Sequence, residues 1–288
     1  MATSSNLILI AAAGAAAIAI GVASTHVPPD ATEFVTIAAG SFSYRASGEY
    51  LRDGVAVDAP LTTVTFDRPI TIMKRQVSRA EYQGCVDDGA CKPIDDAAPE
   101  GAGGLPAVGV DWHDATTYAA WLSDRTGRHY RLPRDAEWVY AAGERFSDDA
   151  LAVDGDAGNP AKRWIAAYDK ESAAATLDPQ PLPFGSFGRN ANGLLDVAGN
   201  VWEWTDSCYV RHATHGAAKD SAVENCGVRV VEGRHRAYMS DFIRNPRGGA
   251  CSVGPPPSNF GIRLVRDDES GILARLVAMA RLLGIWRT

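Results

Sequence analysis

Apolar residues recur at helical spacing just before the middle of the chain. Four of them fall on one helical face: Ala115, Tyr118, Ala119 and Leu122. Asp111 stands at the expected N-cap position, Asp114 follows three residues later, and Gly127 comes after the last turn. The pattern predicts a helix that begins after Asp111 and ends before Gly127.

A second helix is predicted a few residues later. Three of its residues are spaced for packing: Ala136, Val139 and Tyr140. Pro133 suits the opening of this helix, and Gly143 is a stop signal. Residues 148–187 are rich in Ala, Asp and Pro and carry few periodic signals, which predicts long ordered loops.

The segment 199–205, GNVWEWT, predicts a turn followed by an extended strand. Its Gly-Asn pair favours the turn, and alternation along a strand directs Trp202 and Trp204 to one face. Glu203 then lies between two indoles. A carboxylate in such a place needs a cation or a network of hydrogen-bond donors.

The N-terminus is predicted to be a targeting segment. Residues 7–22 are apolar and uncharged, and they are followed by small residues and a Pro-Pro pair at 28–29. This pattern predicts a signal peptide within residues 1–30, cleaved after Ala23. The alternative is an uncleaved anchor, although the run is short for a membrane span. Both alternatives predict an exported domain located in the periplasm.

Composition and charge narrow the class of protein. The chain has 288 residues, 46% of them hydrophobic, which is enough material for one large domain with its own core. Its 28 Lys and Arg residues against 35 Asp and Glu residues give a net charge of −7. This balance argues against nucleic-acid binding.

Five cysteines fit an oxidising compartment. Cys85 and Cys91 flank a short polar turn that can bring their Cα atoms within disulfide distance. Cys208 and Cys226 flank a loop without apolar periodicity. We expect the pairs Cys85–Cys91 and Cys208–Cys226, which leaves Cys251 as a free thiol or an interchain partner.

Four segments carry motifs that composition alone would not produce. They are 109–131 (GVDWHDATTYAAWLSDRTGRHYR), 130–143 (YRLPRDAEWVYAAG), 193–206 (GLLDVAGNVWEWTD) and 258–265 (SNFGIRLV). These motifs resemble the sulfatase-modifying-factor family, whose best-known members are formylglycine-generating enzymes. The segments 34–42 (FVTIAAGSF) and 77–82 (VSRAEY) agree, so the likeness covers most of the chain.

The resemblance implies an irregular single-domain α+β fold, related to C-type lectins and poor in regular secondary structure, over residues 31–267. Where the family usually has Thr at the start of the second helix, this chain has Arg134. A side-chain cap is therefore expected to be lost there.

The resemblance also implies a calcium site. Asp196, Gly199, Val201 and Glu203 match the family's ligands, which are a side-chain oxygen, two backbone carbonyls and a carboxylate. Oxygen ligands of this kind suit Ca²⁺. The alternative is that Asp196 caps a turn and Glu203 pairs with an arginine.

The family's oxidases bind Cu(I) through two nearby cysteines, whose soft thiolates suit that metal. Counted back from the stretch 244–249, these positions fall near Arg234 and Met239. Residues 233–249 contain no cysteine. We therefore expect no copper at this site.

A polar cluster stands in the same region. Its members are Arg234, His235, Arg236, Tyr238, Ser240, Asp241, Arg244, Arg247 and Asn259. One interpretation is a pocket that binds an extended peptide or a small anion, with arginine as a bidentate donor. The other is a loop of arginine–carboxylate pairs that holds an irregular fold together.

Residues 268–288 are predicted to contain a C-terminal amphipathic helix. Its apolar face carries Leu273, Leu276, Val277, Ala280 and Leu283, with two arginines turned away from it. The helix would pack on the body or on a second copy, or contact a membrane surface.

The mixture of features is similar to the accessory proteins encoded beside bacterial copper nitrite reductases, the NirV group of the family. The first functional hypothesis is therefore a non-oxidase accessory protein that binds a periplasmic metalloenzyme or its peptide segment, with a role in denitrification. A second is an enzyme acting on a peptide or small molecule, as in the pyoverdine-maturation branch. A third is an active formylglycine-generating oxidase for sulfatases.

Overall fold

The computed structural model describes residues 32–94, 102–147, 149–153, 159, 161–174, 180–215, 221–246 and 259–267. The predicted targeting segment, the C-terminal segment, Arg247 and Cys251 lie outside the described residues. The four described helices are α1 (Arg79–Asp87), α2 (Trp112–Thr126), α3 (Asp135–Ala142) and α4 (Ala161–Ala174). Among the described residues, no helix combines the length and the hydropathy that a membrane span requires.

Twelve strands form three sheets among these residues. The strands are β1 (Phe34–Ile37), β2 (Gly40–Arg45), β3 (Glu49–Arg52), β4 (Val55–Val57), β5 (Leu61–Phe66), β6 (Ile70–Met73), β7 (His129–Arg131), β8 (Trp202–Ala213), β9 (Ala222–Glu232), β10 (Ala237–Ser240), β11 (Phe260–Gly261) and β12 (Val265–Asp267). One sheet has the order β1-β6-β12-β7, and β2 pairs with β5 in a two-stranded sheet. The predicted α+β single-domain class is confirmed.

The third sheet carries the candidate site. Its order is β10-β9-β8-β3-β4, and β11 pairs in parallel with the start of β8. The β8–β9 hairpin is long but irregular, because its register shifts on both sides of Cys208. This sheet therefore brings β10, close to the C-terminal end of the domain, beside elements from the middle of the chain.

Helix α2 has the predicted boundaries. The Asp111 carboxylate accepts the Asp114 N–H at 2.8 Å, and the Asp114 carboxylate accepts the Asp111 N–H at 3.0 Å. Gly127 ends the helix in the left-handed conformation. The four predicted apolar residues are all buried, so local sequence signals suffice for this helix.

Helix α3 lacks a side-chain cap, as expected. Arg134 occupies the N-cap position without a side-chain hydrogen bond to the helix. The Glu137 carboxylate accepts the Arg134 backbone N–H at 2.7 Å. Glu137 also forms a salt bridge with Arg131, so the first turn is held by a charge pair.

The prediction of loops throughout 148–187 was wrong, because α4 lies within that range. Five of its fourteen residues are Ala, which has the highest helix propensity. Arg163 pairs with Asp58 at 2.5 Å, and the Lys170 ammonium donates to the Ala150 carbonyl at 3.0 Å. These polar contacts hold the helix on the domain.

Both predicted disulfides are present. Cys85–Cys91 joins the end of α1 to the turn after it, and Cys208–Cys226 joins β8 to β9. Their Cα atoms lie 5.2 and 4.5 Å apart. The described cysteines are therefore all oxidised.

Candidate functional site

The turn 233–236 between β9 and β10 begins under an indole ring. A Cβ atom on Gly233 would lie 2.6 Å from the Trp202 ring, so only glycine fits there without a shift. Trp202 Nε1 donates to the His235 carbonyl at 3.0 Å. Trp202, the first tryptophan of the WEW motif, thus fixes the turn that carries Arg234, His235 and Arg236.

His235 is a half-buried imidazole packed against Trp202. The two rings meet edge to face, with centroids 5.2 Å apart. His235 Nδ1 lies 3.1 Å from the Arg236 carbonyl, and because a carbonyl only accepts, Nδ1 carries the proton. Burial lowers the pKa of His235, and the positive charges of Arg234 and Lys170 lower it further. The ring is therefore neutral near neutral pH, with its lone pair on Nε2.

Arg236 is the centre of a buried charge network. Its Nε donates to Glu232 at 2.6 Å, and its Nη1 lies 3.2 Å from an oxygen of Asp149. Its Nη2 lies 3.2 Å from Asp135 Oδ1. The other oxygen of Asp135 accepts the Tyr44 hydroxyl at 3.1 Å. One guanidinium thus serves three carboxylates from separate parts of the chain.

The excess of carboxylates changes the protonation of the network. Burial raises the pKa of Glu232 well above its ordinary value; Arg236 opposes this shift, and the adjacent Asp135 reinforces it. The shift favours the protonated form of Glu232. Arg236 is a structural residue, and it is not a free donor for a ligand.

The remaining candidates lie in separate places. The Tyr238 hydroxyl accepts the Gly48 N–H at 2.7 Å, and burial raises the pKa of Tyr238. Asp241 lies 3.3 Å from His113 Nε2, and Arg244 binds Asp114 at 2.7 Å at the start of α2. Arg234 and His235 therefore lie in the turn beside Trp202, Tyr238 contacts Gly48 and Tyr209, and Asp241 and Arg244 hold α2.

Two further candidates have backbone roles. The Asn259 carbonyl accepts the Trp202 N–H at 3.0 Å, just before β11 joins β8. The Ser240 carbonyl accepts the Ile243 N–H at 3.1 Å in the turn after β10. These contacts shape the frame of the site.

Glu203, the carboxylate expected to bind calcium, is fully buried and surrounded by donors. Its Oε1 accepts from Gln76 Nε2 at 2.7 Å and from Arg263 Nη2 at 2.9 Å. Its Oε2 accepts from Trp138 Nε1 at 2.7 Å and from Arg263 Nε at 2.8 Å. The lone pairs of both oxygens are therefore used by protein donors.

Two other residues of the expected calcium loop also accept hydrogen bonds from the protein. Asp196 accepts the N–H groups of Gly185 and Phe187 at 2.6 and 2.8 Å. The Gly199 carbonyl accepts the Val201 N–H at 2.7 Å. A cation on Glu203 would also be repelled by the buried Arg263 guanidinium. These contacts favour the alternative of a turn cap and an arginine pair over the calcium ion that the resemblance implies at these residues.

Three carboxylates of the charge network were not predicted from the sequence. Glu232, Asp135 and Asp149 were not among the candidates, although they surround Arg236. Glu232 offered one signal, because it directly follows the apolar pair at 230–231 in β9. A carboxylate at the end of a buried strand requires a partner.

The positions where the resemblance implies copper-binding thiolates hold other chemistry. Met239 lies in β10 with 2% of its surface exposed, and Arg234 lies in the turn before it. The sulfur atoms of Cys208 and Cys226 lie close to the Glu224 carboxylate, but both belong to a disulfide. The described residues therefore offer no pair of free thiols.

Comparison with known proteins identifies the family. The model of the sulfatase-modifying factor enzyme 1-like domain matches residues 21–268. The formylglycine-generating enzyme of Streptomyces coelicolor is 31% identical over 180 residues, which is 57% of this chain and 53% of that protein. The inactive C-alpha-formylglycine-generating enzyme 2 of Mus musculus is 34% identical over 117 residues, 36% of this chain and 33% of that protein. The match thus spans about half the length of the Streptomyces coelicolor enzyme and about a third of the length of the mouse protein.

Solved structures agree on the fold. The structure of PvdO from Pseudomonas aeruginosa has a TM-score of 0.52 and 25% identity, and the match covers 83% of this chain and 95% of that one. Treponema denticola variable protein 1 has a TM-score of 0.50 at 16% identity, covering 81% of this chain and 94% of that one. Because one family model covers most of the chain, the chain belongs to the sulfatase-modifying factor enzyme 1-like domain family.

Proposed function

We propose that this chain is a family member that does not generate formylglycine with copper. The observation that supports the proposal is that Arg234 and buried Met239 stand where the resemblance implies the two thiolates. A guanidinium repels Cu(I), and a thioether binds it without the negative charge of a thiolate. The name of the mouse relative likewise indicates that inactive proteins occur among similar sequences.

We further infer that the chain acts as an accessory protein of a periplasmic copper nitrite reductase. The surface around Trp202 supports binding, because it combines an indole, a neutral imidazole and the cation of Arg234. Such a surface suits a peptide segment that carries a carboxylate. The two disulfides and the apolar segment 7–22 support an exported, periplasmic location.

The expected absence of oxidase activity has a direct test. Purified protein should not convert a Cys-x-Pro-x-Arg peptide to formylglycine with Cu(I) and oxygen. Mass spectrometry of the peptide measures the conversion, with an active bacterial formylglycine-generating enzyme as the positive control. Turnover above the rate without enzyme would contradict the proposal.

Binding to the reductase is the second test. Purified copper nitrite reductase should bind the wild-type protein in calorimetry, and the double variant Arg234→Glu/His235→Ala should bind at least about tenfold more weakly, or about 1.4 kcal/mol. Arg128→Glu is the matched control, because it reverses one exposed charge near α2, away from Trp202. Absence of wild-type binding, or equal losses in both variants, would refute the accessory role.

An enzyme acting on a peptide or small molecule is the second candidate function. The neutral His235 ring favours it, because an imidazole with a lowered pKa can accept a proton near neutral pH. The two functions differ in outcome. Mass spectrometry of the reductase after incubation would show a covalent mass change for an enzyme and an unchanged mass for a binding protein.

A further inference from the structure

The Cys208–Cys226 disulfide lies at an irregular and open part of the β8–β9 hairpin. The strand register shifts on both sides of Cys208, so the ladder is interrupted there. Cys226 is exposed and Cys208 is half-buried. An attacking thiolate therefore has access to the Cys226 sulfur before that of Cys208.

Arg229 stands directly opposite Cys208 on β9. Its Nη1 donates to Cys208 Sγ at 3.3 Å and to the Asp206 carbonyl at 3.1 Å. The guanidinium lies 3.8 Å from the centre of the Trp112 ring, which holds it in place. A positive charge is thus fixed beside the less exposed sulfur.

We propose that Cys208–Cys226 is a reactive disulfide that exchanges with an external dithiol. The dithiol's thiolate attacks Cys226 Sγ, a new S–S bond forms, and the Cys208–Cys226 bond breaks. The electron pair of that bond stays on Cys208 as a thiolate beside Arg229, which stabilises the leaving group by lowering its pKa. The second thiol of the dithiol then attacks the mixed disulfide and releases Cys226. In total, two electrons and two protons pass from the dithiol to the protein.

Glu224 adds a preference for the kind of thiol. Its carboxylate lies within 4.8 Å of both sulfur atoms. A negative charge there repels thiols that carry carboxylates of their own, and salt weakens the effect because the group is exposed. The site therefore favours an uncharged or cationic dithiol.

The reactive pair lies near the candidate site without being part of it. Arg229 is opposite Cys208 on one side and opposite Met239 of β10 on the other. The three residues form a row across adjacent strands, about 10 Å from end to end. The proposal does not rest on the accessory role, because it concerns only this hairpin.

The chain contains a matched control in its other disulfide. Cys85 is 0% exposed and Cys91 is 8% exposed, and both belong to the core under α1 and α2. No guanidinium contact to either sulfur occurs among the described residues. This pair should react only when the protein opens.

The experiment measures the reduction of both disulfides in the folded protein. Dithiothreitol is added without denaturant, samples are quenched with acid and alkylated, and peptide mass spectrometry gives the reduced fraction of each pair. Cys208–Cys226 should be reduced at least about tenfold faster than Cys85–Cys91. Equal rates, or reduction only together with loss of circular dichroism, would overturn the proposal.

Variants separate the charge effects from simple exposure. Arg229→Gln should slow reduction several-fold, and Arg229→Lys should keep most of the wild-type rate. A loosened fold would speed reduction, so slowing cannot arise from damage to the hairpin. Glutathione should first attach to Cys226, and Glu224→Gln should speed the glutathione reaction more than the dithiothreitol reaction. Attachment to Cys208, or an unchanged rate in Arg229→Gln, would also overturn the proposal.

Discussion

Replacing Glu203 with alanine is expected to lower the free energy of unfolding by about 3–5 kcal/mol. The substitution removes the acceptor of four hydrogen bonds and leaves Arg263 buried with an uncompensated charge. Chemical denaturation monitored by circular dichroism measures the change. A loss below about 1 kcal/mol would show that Arg263 finds another partner or water.

The matched control replaces both partners. A Glu203→Leu/Arg263→Met variant removes both buried charges together, so it should be more stable than Glu203→Ala alone. If the double variant is less stable than the single one by the full cost of a second substitution, the two residues are not coupled.

The Glu203–Arg263 ion pair also leads to an expectation about chelators. Because the donors of Gln76, Trp138 and Arg263 occupy Glu203, EGTA should leave the wild-type melting temperature unchanged, and elemental analysis should find no calcium. A fall in the melting temperature with EGTA would restore the calcium site implied by the resemblance, because a bound ion stabilises the folded state by mass action.

Replacing Arg236 with methionine is the second change with a large expected effect, a loss of about 3–5 kcal/mol. It leaves the buried carboxyl groups of Glu232 and Asp135, and the partly exposed one of Asp149, without their shared cation. The loss should grow as pH rises, since ionised carboxylates repel one another more strongly. Denaturation curves from pH 5 to 8 measure it, and a loss independent of pH would contradict this explanation.

Glu232→Gln is the control for the protonation of Glu232. Folding raises the pKa of Glu232 from its ordinary value of 4.5. The resulting stabilisation is complete below pH 4.5 and is lost as pH rises through the folded-state pKa. Glutamine imitates the protonated acid and does not titrate. The variant should therefore lose less stability than the wild type over this pH range, and parallel curves would show that Glu232 is ionised in the folded protein.

Local signals account for the elements that the sequence predicted. Asp111, Asp114 and Gly127 begin and end α2 through contacts within a few residues, so their spacing is sufficient. Helix α4 was not predicted from the sequence, because the contacts that hold it are not local. Its residue Arg163 pairs with Asp58, which is remote in sequence. Its residue Lys170 donates to the carbonyl of Ala150, which lies in an irregular segment.

The candidate site also has residues that the sequence indicates and contacts that only the fold shows. Sequence motifs pointed to Trp202 and His235, and the fold brings them into contact. Sequence could not show that Arg236 is consumed by carboxylates, because Glu232, Asp135 and Asp149 come from different segments. An arginine looks the same in sequence whether it faces a ligand or a buried acid.

The sequence by itself determined the family, the α+β class, the boundaries of α2 and both disulfide pairs. These properties depend on motifs and on residues close in the chain. The tertiary structure alone decided the partners of the buried charges, such as Glu203 with Arg263, sixty positions away along the chain. The physical reason is that a buried charge is stabilised by whatever the fold packs within hydrogen-bond distance, and β11 brings Arg263 to Glu203 by pairing with β8.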